Sequence, residues 1–546
     1  MTAAEPTARA ADAAANAVVA APQPTRREQL LARLAEARTW DLAVIGGGAT
    51  GLGVALDAAA RGWSVLLVES HDFAEGTSSR ATKLVHGGVR YLAQGNVSLV
   101  HEALHERTRL LHNAPHLARP LAFVVPCYRW WEPPFYGAGL MLYDALAGRA
   151  ALGKTEFLNR AQTLSCLPGA REQRLKGGVK YWDGQFDDAR LAMALARSAA
   201  ARGALLLNYC AATDLVHEAG KVAGLQCEDR ETGRRTTVRA RCVVNAAGVW
   251  VDEIRQRDGA ATGRVAAPIV APSQGVHLVV DREFLRGDHA LLVPRTTDGR
   301  VLFAVPWLGK VILGTTDTPR HDLAREPDAF PAEVDFILRE AARVLARAPT
   351  RVDVKSLWVG LRPLVRPQGD DGEATRSLSR EHTVRMARSG LVTVTGGKWT
   401  TYRAMAEDVL QKCMDAGLLD HRPGGVTADL VLVGGDPGAP PRGALSEPPG
   451  LAAYGSERGL VEALPGADRA LGGGLTEAMV RFAARYEYAR RVDDVLARRS
   501  RLLFLDARLA ASLAAPVADI LAQETGADPG AAAFGALTRH YLQVPG

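Results

Sequence analysis

The sequence has few cysteines and no long apolar run, and each absence excludes a class of protein. Its 546 residues include six cysteines that lie far apart, with no C-x-x-C pair and no Cys/His cluster at zinc spacing. We therefore expect reduced, mostly structural thiols, as in a cytosolic protein, and no metal site. No window approaches the roughly 18 uninterrupted apolar residues that a membrane-spanning helix needs, so we expect none.

A strong excess of charge of one sign is also lacking. The chain has 66 basic and 60 acidic residues, a net charge of +6, and no basic runs with interleaved aromatic residues. This pattern argues against a nucleic-acid partner, whereas a mild positive charge suits anionic substrates or an anionic membrane surface. The length and the apolar content of 47% predict two or three folded domains.

The first 38 residues differ in composition from the rest, being rich in alanine with proline, threonine and arginine. Glu5, Asp12 and Asn16 interrupt any apolar core of a signal peptide, so we expect a disordered or partly helical tail rather than a targeting segment. Leucines at helical spacing within 26–38 predict a short helix that leads into the first domain.

A strand, a glycine turn, a helix and a second strand follow one another within residues 42–69. This order predicts a βαβ unit whose two strands are parallel. Gly46, Gly48 and Gly51 fit the pattern G-x-G-x-x-G between the first strand and the helix. The glycines permit a tight turn, and backbone N–H groups at the helix N-terminus favour a pyrophosphate.

Glu69 ends the second predicted strand. A carboxylate there can accept hydrogen bonds from both ribose hydroxyls, and it would repel a 2′-phosphate, which argues against NADP. The motif alone does not distinguish FAD from NAD, but two later segments favour FAD. Residues 243–248 form a predicted buried strand that ends in small residues, and 394–403 leave a strand through two glycines and enter a helix. Free N–H groups of this helix could stabilise negative charge on a reduced flavin.

The rest of the chain alternates strands and helices without a detectable repeat. A Gly/Pro-rich stretch at 434–450 is a predicted linker, and residues 475–514 are continuously helix-favouring, which predicts a separate C-terminal helical domain. The arginine-rich stretch at 490–501 is expected to be a solvated helix face. The aromatic cluster at 130–136 suits core packing better than a membrane-contacting patch.

Several motifs resemble those of FAD-dependent glycerol-3-phosphate dehydrogenases of the aerobic, quinone-linked type. They are GTSSRATKLVHGGVRYL at 76–92, NAPHL at 113–117, FDDARL at 186–191, GTTDT at 314–318, GLRPL at 360–364, GKWTTYR at 397–403 and VDDVLARR at 492–499. The resemblance runs from about residue 39 to the end of the sequence, so only the N-terminal tail lies outside it.

The resemblance implies an α/β fold with a glutathione-reductase-like (Rossmann-type) FAD-binding domain, an antiparallel-sheet substrate domain and a C-terminal helical domain. The expected domain boundaries are 1–38 for the tail, 39–110, 180–255 and 362–415 for the FAD-binding domain, 111–179 and 256–361 for the substrate-binding domain, 434–450 for the linker and 451–546 for the helical domain.

The resemblance also implies the site residues. Non-covalent FAD is expected to contact Gly46, Gly48, Ala49, Thr50, Gly51, Glu69, Thr77, Ser78, Ser79, Lys83, Leu84, His86, Gly87, Ala212, Gly248, Gly397, Lys398 and Thr400. The expected substrate-binding residues are Arg90, Tyr91, Arg362, Arg380 and Lys398, and the expected catalytic residues are His86, Arg362 and His277. Some members have a basic residue at position 274 and a serine at position 276, where this chain has Gln274 and Val276, so the roles near His277 are less well supported than those near His86.

The implied reaction is oxidation of sn-glycerol 3-phosphate to dihydroxyacetone phosphate, with hydride transfer from C2 to flavin N5 and electrons passed to a membrane quinone. Oxidation of a secondary alcohol needs a base, a role that suits histidine, with His86 our first choice and His277 our second. A phosphate suits arginine, whose planar guanidinium donates several hydrogen bonds. The implied location is the cytoplasm, with peripheral attachment to the inner face of the cell membrane, and the resemblance is compatible with a homodimer.

Three alternatives stay open on the sequence alone. They are a glycerol-3-phosphate oxidase that uses oxygen, an amine or amino-acid oxidase-like flavoenzyme, and a non-catalytic nucleotide-binding or redox-sensing module. Amine and amino-acid oxidases must hold a carboxylate and an amine, whereas the matched loops here supply mainly cations. A non-catalytic module gives His86, Arg90, Arg362 and Lys398 no reason to converge.

Overall fold

The structure is a computed structural model that describes residues 22–88, 96–366, 381–439 and 443–546. Most of the predicted tail therefore lies outside the described residues. Helix α1 (Arg27–Leu34) precedes the first strand, at the place where the leucine spacing predicts a helix.

The first sheet contains the predicted βαβ unit. Strand β1 (Thr39–Ile45), helix α2 (Ala49–Ala60) and strand β2 (Val65–Val68) follow one another, and the two strands pair in parallel as predicted. The other strands of this sheet are β7 (Leu205–Leu207), β8 (Cys210–Glu218), β9 (Lys221–Asp229), β10 (Arg235–Asn245), β17 (His382–Met386) and β18 (Val392–Gly396).

These strands are ordered β17-β18-β10-β1-β2-β7, and β9 joins β8 to β10. Strands β18, β10, β1, β2 and β7 are mutually parallel, so their carboxyl ends reach one edge of the sheet. Both β1 and β2 are buried along most of their length, because helices cover the sheet on its faces. Ligands of open α/β sheets bind at this carboxyl edge.

The second sheet is almost entirely antiparallel, as the resemblance implies. Its strands are β3 (Leu84–Val85), β4 (Ala118–Cys127), β5 (Glu156–Asn159), β6 (Gly177–Phe186), β11 (Val270–Asp281), β12 (Ala290–Val293), β13 (Leu302–Trp307), β14 (Lys310–Gly314), β15 (Thr318–Pro319) and β16 (Ser356–Val365). Their order is β15-β11-β14-β13-β12-β4-β6-β3, with β16 also on β11 and β5 also on β6. The exception is the parallel pair β4 and β12.

Helices surround the two sheets. They are α3 (Val97–Asn113), α4 (Glu132–Ala147), α5 (Arg160–Cys166), α6 (Asp188–Ala200), α7 (Val251–Ala261), α8 (Pro331–Val344) and α9 (Tyr402–Asp415). Among the described residues, no helix combines the length and apolar character that a bilayer span requires, and no group of histidine, cysteine or carboxylate side chains could hold a metal ion.

The C-terminal region is helical, and no helix or strand occurs in the described part of 434–450. Its elements are α10 (Arg458–Glu462), β19 (Ala470–Gly472), β20 (Leu475–Thr476), α11 (Glu477–Tyr486), a π-helical turn (Asp494–Arg499), α12 (Leu502–Leu505), α13 (Ala507–Ser512), α14 (Ala514–Thr525) and α15 (Ala531–Leu542). The domain boundaries given above stay predictions.

Two predictions about this region are wrong. The stretch 475–514 is not one helical run, because the backbone of Tyr488 and Arg501 is left-handed, with φ of 59° and 65°. The arginines near its centre are also not a solvated face, since Arg498 and Arg499 are buried and both pair with Asp72 beside the first sheet. Local helix propensity cannot predict this burial, because the arginines are buried through their ion pairs with a carboxylate distant in sequence.

The expectation that the aromatic cluster at 130–136 packs in the core is also wrong. Trp130 is 82% exposed and Phe135 is 66% exposed. Helix α4 buries the narrow face that carries Gly137, Leu140, Tyr143 and Ala147, whereas Phe135, Met141 and Leu142 are exposed on its other side.

Candidate functional site

A cavity of about 490 Å³ is lined by residues from both sheets. The ends of β1, β2, β10 and β18 line it at the carboxyl edge of the first sheet, where Ile45, Glu69, Ala246 and Gly396 lie. The second sheet contributes residues of β11, β13 and β16. The cavity therefore lies where the parallel strands predict a ligand site.

The glycine turn after β1 leaves no room for side chains. Gly46 has a φ of +109°, and a Cβ atom there would lie 2.6 Å from the carbonyl oxygen of Ala246. A Cβ atom at Gly51 would lie 2.0 Å from the carbonyl oxygen of Gly46. Gly51 does not line the cavity, so its role is to let the turn close against α2. The backbone is thereby exposed to the cavity at Gly46 and Gly48, as a pyrophosphate site requires.

Glu69 closes the same turn from the end of β2. One carboxylate oxygen accepts a hydrogen bond from the N–H of Gly47 at 2.7 Å, and the other accepts one from the N–H of His71 at 2.9 Å. Glu69 is half-buried and lines the cavity. Its position at the second strand end is the one that a ribose-binding carboxylate occupies in such βαβ units.

One side of segment 76–86 faces the cavity. The Ser78 hydroxyl accepts a hydrogen bond from the N–H of Ala49 at 2.9 Å, which ties the segment to the N-terminus of α2. The Thr77 hydroxyl donates to the carbonyl of Leu361 at 2.6 Å, which ties it to β16. Thr77, Ser78, Leu84 and His86 line the cavity, and their contact with FAD stays a prediction.

Ser79, Lys83 and Gly87 do not line the cavity, although they were expected to contact the cofactor. The backbone of Lys83 is left-handed, with φ of 64°, and its side chain turns into the interior. There its ammonium donates to a carboxylate oxygen of Asp188 at 2.7 Å. Gly87 lies against Tyr143 and Leu104 instead, where a Cβ atom would clash.

Arg362 is held in the cavity wall by β11 and the loop after β14. Its guanidinium donates to the carbonyl of Gln274 at 3.1 Å, to the hydroxyl of Thr315 at 3.1 Å and to the carbonyl of Thr316 at 3.0 Å. Gly275 makes room for it, because a Cβ atom there would lie 2.2 Å from Nη2 of Arg362. The guanidinium is therefore fixed in orientation before any ligand arrives.

His277 lies in the same wall. Its Nε2 atom shares a hydrogen bond of 2.9 Å with the Thr82 hydroxyl, and its ring stacks on Trp358 with centroids 5.3 Å apart. Burial lowers the pKa of His277 well below its usual value, and the charges of Arg362 and Lys83 lower it further. The imidazole is therefore neutral at neutral pH, which is the form that accepts a proton.

The side chains of Gln274 and Val276, which differ from those of some family members, point away from the cavity. Residues alternate along β11, so Gly275 and His277 line the cavity while Gln274 and Val276 do not. The Gln274 side chain instead donates to Glu333 and accepts from Arg320, and Val276 is in the core. The side chains at these two positions therefore form no part of the cavity wall.

The segment after β18 brings Lys398 to the cavity. Gly396 and Gly397 both have left-handed backbones, with φ of 81° and 75°, and turn the chain towards α9. The Thr400 hydroxyl donates to the carbonyl of His86 at 3.4 Å, so the two segments meet. The predicted residues that line the cavity are Gly46, Gly48, Ala49, Thr50, Glu69, Thr77, Ser78, Leu84, His86, Ala212, Gly248, His277, Arg362, Gly397, Lys398 and Thr400.

Arg90, Tyr91 and Arg380 lie outside the described residues. The sequence reasoning missed Thr82 and Thr315, which contact His277 and Arg362. Both threonines occur in motifs on which the family resemblance rests, so their place in those motifs could have identified them as candidate site residues. It also missed Trp250 and Arg325, whose guanidinium lies 4.7 Å from the indole centroid beside the cavity.

Comparisons with known proteins identify the family of the chain. Residues 41–404 match the family model described as "FAD dependent oxidoreductase", and residues 451–531 match "C-terminal domain of alpha-glycerophosphate oxidase". A probable mitochondrial glycerol-3-phosphate dehydrogenase of Caenorhabditis elegans is 39% identical over 538 residues, covering 92% of this chain and 73% of that protein.

Two further relatives are also glycerol-3-phosphate dehydrogenases. The mitochondrial glycerol-3-phosphate dehydrogenase of Mus musculus is 42% identical over 434 residues, or 77% of this chain, and the match spans only 58% of that longer protein. The crystal structure of glycerol-3-phosphate dehydrogenase from Bacillus halodurans complexed with FAD is 30% identical, with a TM-score of 0.74, and covers 95% of this chain and 98% of that one.

The residues present fit FAD as the cofactor. The side-chain-free turn at Gly46 and Gly51 and the carboxylate of Glu69 suit its nucleotide part, and the cavity continues from there to Gly397 and Thr400. Fold, cavity and matches over most of the chain therefore agree, and the chain belongs to the FAD-dependent glycerol-3-phosphate dehydrogenase family.

Proposed function

We propose that this chain oxidises sn-glycerol 3-phosphate to dihydroxyacetone phosphate. When bound, FAD supplies the acceptor for the hydride that leaves C2, at its N5 atom. The observation that carries the proposal is the convergence of His86, His277, Arg362 and Lys398 on the same cavity as the glycine turn. The names of the relatives given above support it.

Arg362 and Lys398 are the proposed phosphate ligands within the described residues. The hydrogen bonds to Gln274, Thr315 and Thr316 already orient the guanidinium of Arg362, so little freedom is lost when it binds an anion. Arg90, Tyr91 and Arg380 stay predictions for the same role. A phosphate held by several cations also orients C2 of the substrate, because it fixes one end of a three-carbon chain.

A histidine is the proposed base for the substrate hydroxyl. His86 stays our first choice, because it lines the cavity beside Thr400 and belongs to the motif at 76–92. His277 is the second choice. Its neutral ring is ready to accept a proton, but the low pKa that keeps it neutral also makes it a weak base.

Dye-linked turnover tests the proposal directly. The purified protein with FAD is mixed with an artificial electron acceptor and glycerol 3-phosphate, and in parallel with glycerol, lactate and several amino acids. We expect rapid reduction only with glycerol 3-phosphate. Preferred turnover of an amino acid would identify an amine or amino-acid oxidase-like enzyme, and no turnover with any substrate would favour a non-catalytic module.

We further propose that the electrons pass to a membrane quinone and that the protein attaches to the inner face of the cell membrane. Quinone is insoluble in water, so its reductase must reach a lipid surface. An apolar patch on and beside α4 suits that contact. It consists of Trp130, Trp131, Phe135, Met141, Leu142 and Phe157, which are all exposed.

Some of these apolar side chains contact one another, and arginines lie near them: the ring centroids of Trp131 and Phe135 are 6.0 Å apart. The ring of Phe157 lies directly over Gly137 of α4, where a Cβ atom would be 2.2 Å from it. Arg129 and Arg149 are exposed at the two ends of the helix, and the chain carries a net charge of +6. Apolar side chains flanked by arginine suit an anionic lipid surface, at about 1 kcal/mol per nearby cation.

Vesicle sedimentation tests the membrane proposal. The double variant W130E/F135E should bind phosphatidylglycerol vesicles several-fold more weakly than the wild type, and salt should weaken the wild type. V352E is the control, because Val352 is 90% exposed but lies outside the patch. Unchanged vesicle binding by W130E/F135E would refute the patch.

Rapid peroxide formation from oxygen without reduction of quinone analogues would instead favour a glycerol-3-phosphate oxidase. The C-terminal family model is named after such an oxidase, so this alternative is tested as well. The homodimer stays a prediction, and analytical ultracentrifugation tests it.

A further inference from the structure

The turn at 79–83 has two faces, and only one of them lines the cavity. Arg80, Ala81 and Thr82 line the cavity, whereas the carbonyl of Ser79 and the side chain of Lys83 point to the opposite side. On that opposite side the turn contacts Arg501, a residue of the C-terminal helical region. The C-terminal region thus touches the cavity wall from behind.

Arg501 makes this contact from a fully buried position. Its guanidinium donates to the carbonyl of Ser79 at 2.7 Å and to a carboxylate oxygen of Asp188 at 3.1 Å. The left-handed backbone at Arg501 ends the π-helical turn and directs the side chain inward. Its guanidinium also lies 4.3 Å from the ring centroid of Phe504.

Lys83 and Asp188 complete the cluster. The second oxygen of Asp188 accepts hydrogen bonds from the ammonium of Lys83 at 2.7 Å and from the N–H of Ala81 at 3.1 Å. The Lys83 ammonium lies 5.2 to 5.3 Å from the ring centroids of Trp307, Trp358 and Phe504. The Asp188 carboxylate therefore holds the middle and one end of the turn. Arg501 contacts both this carboxylate and the other end of the turn, at the carbonyl of Ser79.

The turn at 79–83 also contacts His277. Thr82 lies between Ala81 and Lys83, and its hydroxyl shares the hydrogen bond with Nε2 of His277. A face of the same ring stacks on Trp358, which in turn contacts Phe504 with ring centroids 5.0 Å apart. The His277 ring is thus held by two paths, and both lead to residues 501–504.

We propose that Arg501 is a positioning residue of the reaction, which holds the turn at 79–83 and through Thr82 sets the orientation of His277 in the cavity. This inference rests on the proposed function. It gives the C-terminal helical region a part in the chemistry, although none of its residues lines the cavity within the described chain. A purely structural ion pair would affect the stability of the fold and leave the reaction rate unchanged.

Anaerobic single-turnover reduction of bound FAD by glycerol 3-phosphate separates the two possibilities. R501M should slow flavin reduction on the order of 10- to 100-fold at saturating substrate, because small misplacements of reacting groups have such costs. Its KM should change little, since Arg362 and Lys398 are untouched. R501K keeps the charge and one hydrogen bond, so it should recover part of the rate.

R190M is the matched control. Arg190 is also buried, and it donates to Glu487 at 2.8 Å, so it likewise joins α6 to the C-terminal region without lining the cavity. It should lower the melting temperature as R501M does and leave the reduction rate unchanged. T82V breaks only the last link, and the double variant R501M/T82V should be no slower than the slower single variant.

The outcomes are distinct. Wild-type reduction rates in R501M and T82V, or effects that simply multiply in the double variant, would overturn the inference. If R501M does not fold, R501K and T82V still decide the question by the same rates. Failure of glycerol 3-phosphate to reduce the wild-type flavin would instead refute the proposed function and is seen before any variant is made.

Discussion

The proposed nucleotide side of the cavity presents mostly backbone to its ligand, whereas the proposed substrate side presents side chains. The first side comes from a short stretch of chain, the turn at Gly46–Gly51 with Glu69 close behind. The second side combines His277, Arg362 and Lys398 from strands and loops far apart in sequence. The two sides should therefore respond differently to substitution, all-or-none on the first and graded on the second.

The largest effect is expected at Gly51. In G51V the new Cβ would lie 2.0 Å from the carbonyl oxygen of Gly46, so the turn cannot form and FAD should be lost completely. The absorbance of the purified protein near the flavin band measures this. G139A is the control, because a Cβ at this helical glycine meets nothing within 4 Å. A G51V protein that keeps a full complement of FAD would contradict the expected all-or-none response of the nucleotide side.

A graded but large effect is expected at His86. H86A should slow flavin reduction in single turnovers by about 10²- to 10⁴-fold, the usual cost of losing a general base, while FAD stays bound. The acid limb of the pH profile should flatten. If H86A reduces its flavin at the wild-type rate and H277A does not, the base is His277.

A smaller effect is expected at Arg362. R362M should lower kcat/KM for glycerol 3-phosphate by about 10- to 150-fold, because a charge-assisted hydrogen bond contributes about 1.5–3 kcal/mol. The slow turnover of glycerol should barely change, since glycerol has no phosphate. R235M is the control, an exposed arginine of β10 outside the cavity. Equal losses with both substrates would show that Arg362 does not bind the phosphate.

The smallest effect concerns pH. Because burial lowers the folded-state pKa of His277 below its unfolded value of about 6.5, the unfolded chain binds this proton first. The stability that depends on neutral His277 is therefore complete above about pH 6.5 and declines as the pH falls. The free energy of unfolding should fall more steeply in the wild type than in H277Q, by at most about 1.4 kcal/mol per pH unit. Parallel curves in urea titrations between pH 7 and 5 would contradict this.

The nucleotide side was predictable because its signals are local. Spacing alone placed Gly46, Gly51 and Glu69 on a strand, turn, helix and strand that the structure confirms. Lys83 shows the limit of such signals, since it belongs to a cavity-lining segment and yet turns inward to a carboxylate 105 positions away. A motif gives the position of a residue in the chain. It does not give the direction of the side chain, which depends on a partner distant in sequence.

The prediction that the C-terminal arginines face solvent is wrong for the same reason. Charge and helix propensity both favour solvent for Arg498 and Arg499, and Asp72 reverses that preference. Burial alone would raise the pKa of Asp72, but the two guanidiniums outweigh it and hold the pKa at about 2. The pairing partner lies more than four hundred residues earlier, so no local window contains it.

The strand order of the first sheet has a consequence for biosynthesis. Strand β1 (Thr39–Ile45) pairs with β10 (Arg235–Asn245), which pairs with β18 (Val392–Gly396), so neighbouring strands leave the ribosome about 150 to 200 residues apart. The edge that receives the cofactor is incomplete until the last of these strands has emerged, and contacts of such long sequence separation form slowly. Arg501 emerges later still. Ribosome-bound chains ending near residue 300 should therefore not capture FAD, and acquisition of the cofactor belongs to the final stage of synthesis.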